Sequence, residues 1–391
     1  MSSFLCLSEE FKGPTFLKML KQLGHRVFLL TNEDARHDPW PREAIDEVFY
    51  APRDKKRRHD RQTLVEGTAW LMRNHGIDRI VALDDFDVED AALLREEFRI
   101  PGMGQTTARH FRDKLAMRMQ AQSHGIPIPG FSSLFRKEYL ETFCDTHEGP
   151  YVIKPRSEAS ASGIIKVANR EEAYQAFDSL GEEAYNFLIE TFAPGKVYHV
   201  DALAHDGNVC FLRASAYVDP PLTIVQSGGL FQTRTLPKSS KVNKELGELT
   251  QNVMMAFGMR YSASHTEFIE DAEGNFLLLE TSSRVGGAYI SDMLNHATGV
   301  DLWAEWAKLE AAQVADGKYK APKDLGKAGA VTIRTVSEET PDLRRFKQEE
   351  ESVVKLISKP YHAGLVLTAE KESTLESLQK EIASRLFEQF G

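Results

Sequence analysis

Glu267 and Glu280 flank residues 271–274, Asp-Ala-Glu-Gly, whose glycine stands where a four-residue turn prefers one. Residues 264–270 and 275–280 then read as the two strands of a hairpin. With Glu270 facing Asn275, Glu267 faces Leu278. Side chains alternate with period two, so Glu280 shares that face one diagonal step away, roughly 7–8 Å between backbones. Two converging carboxylates repel unless a cation lies between them, and hard oxygen donors with open positions suit Mg2+ shared with phosphate oxygens. Two solvated glutamates on a half-exposed hairpin are the competing account, and the residues after Glu280 weigh against it. Ser282 and Arg284 keep its parity, adding an oxygen donor and a fixed positive charge to the same face. Gly286 and Gly287 allow a ligand to approach the backbone closely, and residues 288–294 read as a helix whose first N–H groups face an anion.

Two of the lysines upstream of this hairpin stand in settings that could serve phosphate. Lys154 ends the apolar run Tyr151-Val152-Ile153 and is held extended by Pro155. The small-residue segment 156–163 follows, with Ser160, Ser162 and Gly163 able to offer backbone N–H groups to phosphates. A flexible hairpin competes with this reading. Lys114 sits beside an apolar stripe, Phe111, Leu115 and Met119, on a helix expected from 107 to 125. By itself a helical lysine is a surface residue. Glu190 is the single charge in the apolar strand 187–192, where burial is costly unless donors such as an amino group or ligand hydroxyl meet it.

These residues need a scaffold. Over the first hundred positions, strand and helix patterns alternate, which predicts a parallel sheet covered by helices. Asp84 and Asp85 fall at the end of its third expected strand, where open α/β sheets bind ligands; Asp87 has the position of a cap for helix 88–98. Hairpins from 187 to 217 predict an antiparallel sheet, and residues 219–221 and 226–229 frame an expected long loop over the site. The tail holds strands near 331–336, 353–357 and 365–369, then a helix with Leu375, Leu378, Ile382 and Leu386 at helical spacing.

Composition excludes several classes. The chain has 391 residues, 42% hydrophobic and 27% charged, with a formal net charge of −10. That charge argues against nucleic acid and anionic membranes as partners, although residues 53–61 form a basic run read as a solvated loop or helix start. Cys6, Cys144 and Cys210 lie far apart and predict neither disulfides nor a zinc site. No leader and no apolar run of about 20 residues is present, so a cytoplasmic address is expected. No GxGxxG follows the first strand, which sets aside a dinucleotide oxidoreductase.

Taken in order, the α/β start, the helical lysine, the strand lysine before a small-residue loop, the apolar strand with one glutamate, and Glu267…Glu280-x-Ser282-x-Arg284 resemble the ATP-grasp superfamily, specifically its carboxylate–amine ligases such as L-amino-acid ligases. The resemblance spans roughly residues 1–310. It implies an α/β (α+β ATP-grasp) chain: an N-terminal Rossmann-like parallel-sheet domain (1–108), a linker helix and small α+β lid (109–188), and a C-terminal antiparallel-sheet domain with an α/β extension (189–391). It further implies that Lys114, Lys154 and the Ser160, Ser162 and Gly163 loop bind ATP phosphates. Glu190, the backbone of Phe192, and His199 would contact the nucleotide; Glu267, Glu280 and Ser282 would hold Mg2+, or Mn2+ in its place.

Lys154, Glu280 and Arg284 would be catalytic, and Gly286, Gly287 and Arg234 would touch substrate. Arg213, Tyr217 and Tyr289 are further pocket candidates. Val197 departs from the family pattern where many members carry a ribose-binding glutamate, leaving His199 or Asp201 to substitute. Ser282 stands where many have asparagine. The implied activity joins a small carboxylate, activated as an acyl phosphate by ATP, to an amine, with ADP and phosphate released, in a possible homodimer. The alternatives are a biotin-carboxylase-like or carbamoyl-phosphate-synthase-like enzyme phosphorylating bicarbonate or another carboxylate, favoured by His199, and an inactive nucleotide-binding regulator.

Overall fold

The computed structural model describes residues 1–390 apart from 55–58, 159–161 and 315–318. Strands β1 (Ser3–Leu7), β2 (Arg26–Thr31), β3 (Glu47–Tyr50) and β4 (Arg79–Ala82) form a parallel sheet in the order β3-β2-β1-β4. The continuous apolar run of β1 suits its place between two neighbours with both faces covered, and all five of its residues are buried. β3 escapes sequence reading because it is a four-residue edge strand with no fully buried position. Asp87 does not cap the following helix: its side chain accepts from the Glu9 N–H at 2.8 Å, while Asp84 accepts from the Phe86 N–H.

A second, antiparallel sheet contains β5 (Phe131–Ser133), β6 (Tyr151–Pro155), β7 (Ile165–Val167) and β8 (Phe187–Thr191), in the order β5-β8-β6-β7. Helices Lys137–Thr146 and Arg170–Leu180 close its core around Phe143, Ile153 and Ile189. The expected single helix of 107–125 is two pieces, Gln105–Arg109 and Lys114–Ser123. Asp113 caps the second piece by accepting from the N–H groups of Leu115 and Ala116, so the helix restarts with a new phase. Phe111 and Leu115 are therefore buried as expected, but Met119 is 60% exposed.

The third sheet has eight strands: β9 (Val197–His205), β10 (Asn208–Tyr217), β11 (Leu230–Thr235), β12 (Tyr261–Glu270), β13 (Phe276–Ser282), β14 (Ala328–Thr335), β15 (Val353–Lys359) and β16 (His362–Ala369). Their order is β13-β12-β9-β10-β11-β14-β16-β15, with every adjacent pair antiparallel. Helices Ile290–Thr298 and Leu302–Val314 supply apolar residues against one face, and Lys241–Phe257 against the other. Two buried faces explain why β9 is buried at eight of its nine positions. The tail behaves as its spacing predicts: Leu375, Leu378, Ile382 and Leu386 of helix Glu372–Phe390 are all buried. Parallel sheet, small antiparallel sheet and large antiparallel sheet with helices reproduce the expected fold class. Among the described residues, no helix is long and apolar enough to cross a membrane.

Candidate functional site

The β12–β13 hairpin is tighter than alternation alone predicts. Glu270 pairs with Phe276, not Asn275, and a bulge after Glu267 lets Leu279 slip out of register. Glu267 and Glu280 thus stand directly opposite one another, not on a diagonal, and both line a cavity of about 480 Å3. Each carboxylate already has partners. Tyr217 donates its hydroxyl to Glu267 Oε1 at 2.7 Å, and His265 Nε2 lies 3.6 Å from the same atom. Lys114 Nζ lies 3.2 Å from Glu280 Oε2 and donates to the Glu158 carbonyl at 2.7 Å. Burial raises the Glu267 carboxyl pKa, but the hydrogen bond and charge of His265, with the Tyr217 hydroxyl, hold it below the ordinary value.

A buried polar layer supports this floor. Asp201 accepts from His199 Nδ1 at 2.7 Å on one oxygen and from His265 Nδ1 at 2.9 Å on the other, while His199 Nε2 meets Thr233 Oγ1 at 2.7 Å. The three side chains bring metal-type donor atoms within 4.8 Å of one another, yet those atoms are spent on each other. Burial depresses the His265 pKa, but attraction to Asp201 outweighs it and raises the imidazole to about 10. His199, expected at the nucleotide, belongs to this layer. It is fully buried, both ring nitrogens are engaged, and it does not line the cavity; Asp201, equally buried, is no substitute at the ribose position. Gly286 also works from behind: a Cβ there would come within 2.5 Å of Asp201 Oδ1 and 2.9 Å of His265 Nδ1, so the β13 exit can lie on this layer only without a side chain. Gly287 lines the cavity.

Lys154 and Glu190 enter from the second sheet. Lys154 Nζ lies 2.7 Å from Glu190 Oε2, and Arg118 Nε lies 2.8 Å from Glu190 Oε1, all three buried. The donors that make a buried Glu190 tolerable are therefore protein side chains, and Arg118, unremarkable in sequence as one more helical arginine, is the member that reading missed. Arg118 also donates to the Leu279 carbonyl at 2.7 Å, linking helix Lys114–Ser123 to the bulge. Burial lowers the Lys154 pKa to about 8 despite Glu190, with Arg118 opposing the charge as well. For Glu190 burial pushes upward, and Arg118 then Lys154 pull its carboxyl below the ordinary range.

The remaining candidates divide. Ser162, Phe192, Ser282 and Arg284 line the cavity, and Gly163 adopts φ +70 in the loop beside it. Ser160 lies outside the described residues, as do residues 55–58 of the basic run. The Phe192 N–H is taken by the Pro150 carbonyl at 2.9 Å, and Lys166 Nζ lies 3.7 Å over its ring. Arg284 donates Nε at 2.8 Å, together with Nη2, to Asp85 in the turn that follows β4, and Nη1 to its neighbour Val285's carbonyl. Burial disfavours the guanidinium, but Asp85 more than restores it; reciprocally, burial raises the Asp85 carboxyl while Arg284 pulls it well below its ordinary value. Arg234, expected at the substrate, does not line the cavity and lies 3.4 Å from Glu376 of the C-terminal helix. Arg213 is likewise buried against Asp324, whereas Tyr217 lines the cavity. The expected helix at 288 starts at Ile290, after Ala288 and Tyr289 with positive φ.

Two opposed carboxylates and a serine hydroxyl are hard oxygen donors suited to Mg2+, and Lys114, Lys154, Lys166 and Arg284 line the same cavity as cationic partners for phosphate. Comparison with known proteins follows the same direction. A family model described as "ATP-grasp domain" matches residues 147–292. An "L-arginine-specific L-amino acid ligase" of Bacillus subtilis is 28% identical over 233 residues, which are 58% of this chain and 56% of that protein; the chain thus spans a little over half of this curated relative. Among solved structures, an L-amino acid ligase from Bacillus licheniformis superposes with a TM-score of 0.74 at 17% identity, covering 97% of this chain and 96% of that one. An N5-carboxyaminoimidazole ribonucleotide synthetase from Thermus thermophilus reaches 0.73 at 17% identity, covering 99% and 98%. At such identities these superpositions speak for the fold.

Proposed function

The chain belongs to the ATP-grasp superfamily, and on that premise we propose that it activates a small carboxylate, an amino acid by the likeness to L-amino-acid ligases, with ATP and joins it to an amine. The observation that carries this reading is Glu267 opposite Glu280 in one cavity with Lys114, Lys154 and Arg284. In the first step a carboxylate oxygen bonds to the γ-phosphorus of ATP as the bond to the β–γ bridging oxygen breaks, releasing ADP. The amine nitrogen then attacks the acyl carbon, the carbon–oxygen bond to phosphate breaks, and nitrogen loses a proton.

Lys154 leaves Glu190 for a phosphate, Lys114 neutralises phosphate beside Glu280, and Arg284, oriented by Asp85, faces the charge that spreads over the transferring oxygens. Glu267, Glu280 and Ser282 would hold Mg2+, which when bound supplies positive charge against the β and γ phosphates. The chain's task is otherwise positioning and exclusion of water, since an acyl phosphate hydrolyses readily. Residues 125–185, carrying three of the four strands of the second sheet, are the proposed cover. No protein nucleophile is required.

A bicarbonate-activating alternative rests on His199, which is buried beneath cavity-lining Tyr217 and His265 and does not itself line the cavity. Measuring ADP release with paired amino acids and with bicarbonate tests the choice. ADP formation that needs an amino acid, and a product lighter than the two substrates by one water, is the expected result; stimulation by bicarbonate alone overturns the ligase reading.

A further inference from the structure

Contacts order the cavity from one end to the other. Lys154 and Glu190 lie at the second sheet, Arg118 ties Glu190 to Leu279, Glu280 follows and faces Glu267, Tyr217 bonds Glu267, and Phe231 packs edge-on to Tyr217 at 5.7 Å. Phe231, Ile290 and the helix Pro221–Ser227 that connects β10 to β11 line the same cavity as the acidic pair. That helix is unusual in its placement. Leu222, Ile224 and Val225 line the cavity, and Val225 is 59% exposed, yet none of the three joins an apolar cluster of the described residues. Leu222 and Ile224 are half-buried and Val225 is exposed, so apolar surface of this short helix is left in contact with water, which is unfavourable until something apolar covers it.

The charges at this end are already matched. Glu267 has Tyr217 and His265, Glu280 has Lys114, and Arg284 has Asp85. A charged substrate side chain reaching this wall would lose its hydration and meet Leu222, Ile224, Phe231 and Ile290 with no opposite charge to replace it. An aliphatic or aromatic one would cover the wall. From this wall, and resting on the ligase reading above, we infer that the carboxylate substrate carries an apolar side chain, housed against Leu222, Ile224, Phe231 and Ile290, while its carboxyl group faces Arg284. Ile224 and Leu222 are then specificity-determining residues, and each extra buried methylene is worth roughly tenfold or more in kcat/KM.

Hydroxylamine replaces the unknown amine in the test, because it converts any acyl phosphate to a hydroxamate. The full chain is assayed with ATP, Mg2+ and hydroxylamine against leucine, methionine and phenylalanine on one side and aspartate, glutamate, lysine and arginine on the other. The apolar acids are expected to exceed the charged ones in kcat/KM by about 30-fold or more. Ile224→Arg lowers kcat/KM for leucine at least about tenfold with KM for ATP within about twofold, and Ile224→Leu restores it. A charged acid as the best substrate, or an Ile224→Arg loss equal for every acid, overturns the inference while leaving the ligase reading in place. Hydroxamate from no acid at all removes both.

Discussion

Glu280 concentrates the chemistry proposed for this chain in one side chain, since it faces Glu267, touches Lys114 and lines the cavity. Glu280→Gln keeps its size and shape but removes the charge, so turnover is expected to fall by about 10²–10³ with an unchanged circular dichroism spectrum; wild-type rates from that variant would remove it from the mechanism. Lys154 gives a pH prediction. Burial places its ammonium near 8 in the ligand-free protein, so it is charged below that pH and neutral above. Because kcat/KM reports the free enzyme, kcat/KM for ATP is expected to fall above pH 8, approaching tenfold per pH unit, and Lys154→Arg is expected to shift that limb out of range. A flat profile from pH 7.5 to 9.5 contradicts this. At this scale the acids, lysines and Arg284 were legible because their types and order carry the signal. The surroundings of His199 and Arg234 were not legible, because sequence tells the face of a strand but not which face meets solvent: β9 is covered on both sides, and Arg234 of β11 turns toward the C-terminal helix.

Helix Lys114–Ser123 joins three elements through two residues, with Lys114 at its first turn and Arg118 one turn on. Arg118 pairs with Glu190 of β8 and bonds the Leu279 carbonyl of β13. Arg118→Ala leaves a buried carboxylate short of one partner and the bulge short of its donor. Breaking a buried pair of this kind costs about 3–5 kcal/mol, to be read as a shift in the urea midpoint, whereas a surface arginine would shift it hardly at all. Elements of this kind explain what could be read in advance. The hairpin 264–282, the apolar strands β1, β6 and β8 and the C-terminal helix follow from periodicity and turn residues. The bulge at Leu279 does not, because the extra residue is chosen by contacts with Arg118 and the Pro127 carbonyl, to which the Leu278 N–H donates at 2.8 Å, both far away in the chain. The break between Gln105–Arg109 and Lys114–Ser123 was hidden for a simpler reason: Asp113 can be read as a helical residue or as a cap.

Across the whole molecule, Asp85 and Arg284 join the parallel sheet to the large sheet over a sequence separation of 199. Asp85→Asn weakens the grip on Arg284 without removing its bulk. The expected result is a loss of about 10–100-fold in kcat/KM for the acid with KM for ATP little changed; equal losses for both substrates would show general disruption instead. Fold class was open to sequence reading, as alternation, hairpins and spacing each point to one sheet type. How the sheets meet was not, since Asp85–Arg284 depends on side chains brought together only by the finished fold. The pairing of Lys154 with Glu190 has its own consequence at this scale. A lysine already tied to an internal anion gives little welcome to chloride or stray phosphate, and only a visitor with several simultaneous footholds can persuade it to change allegiance. The resting cleft is in this sense self-quenched, and it should ignore the simple salts around it while still answering to a triphosphate.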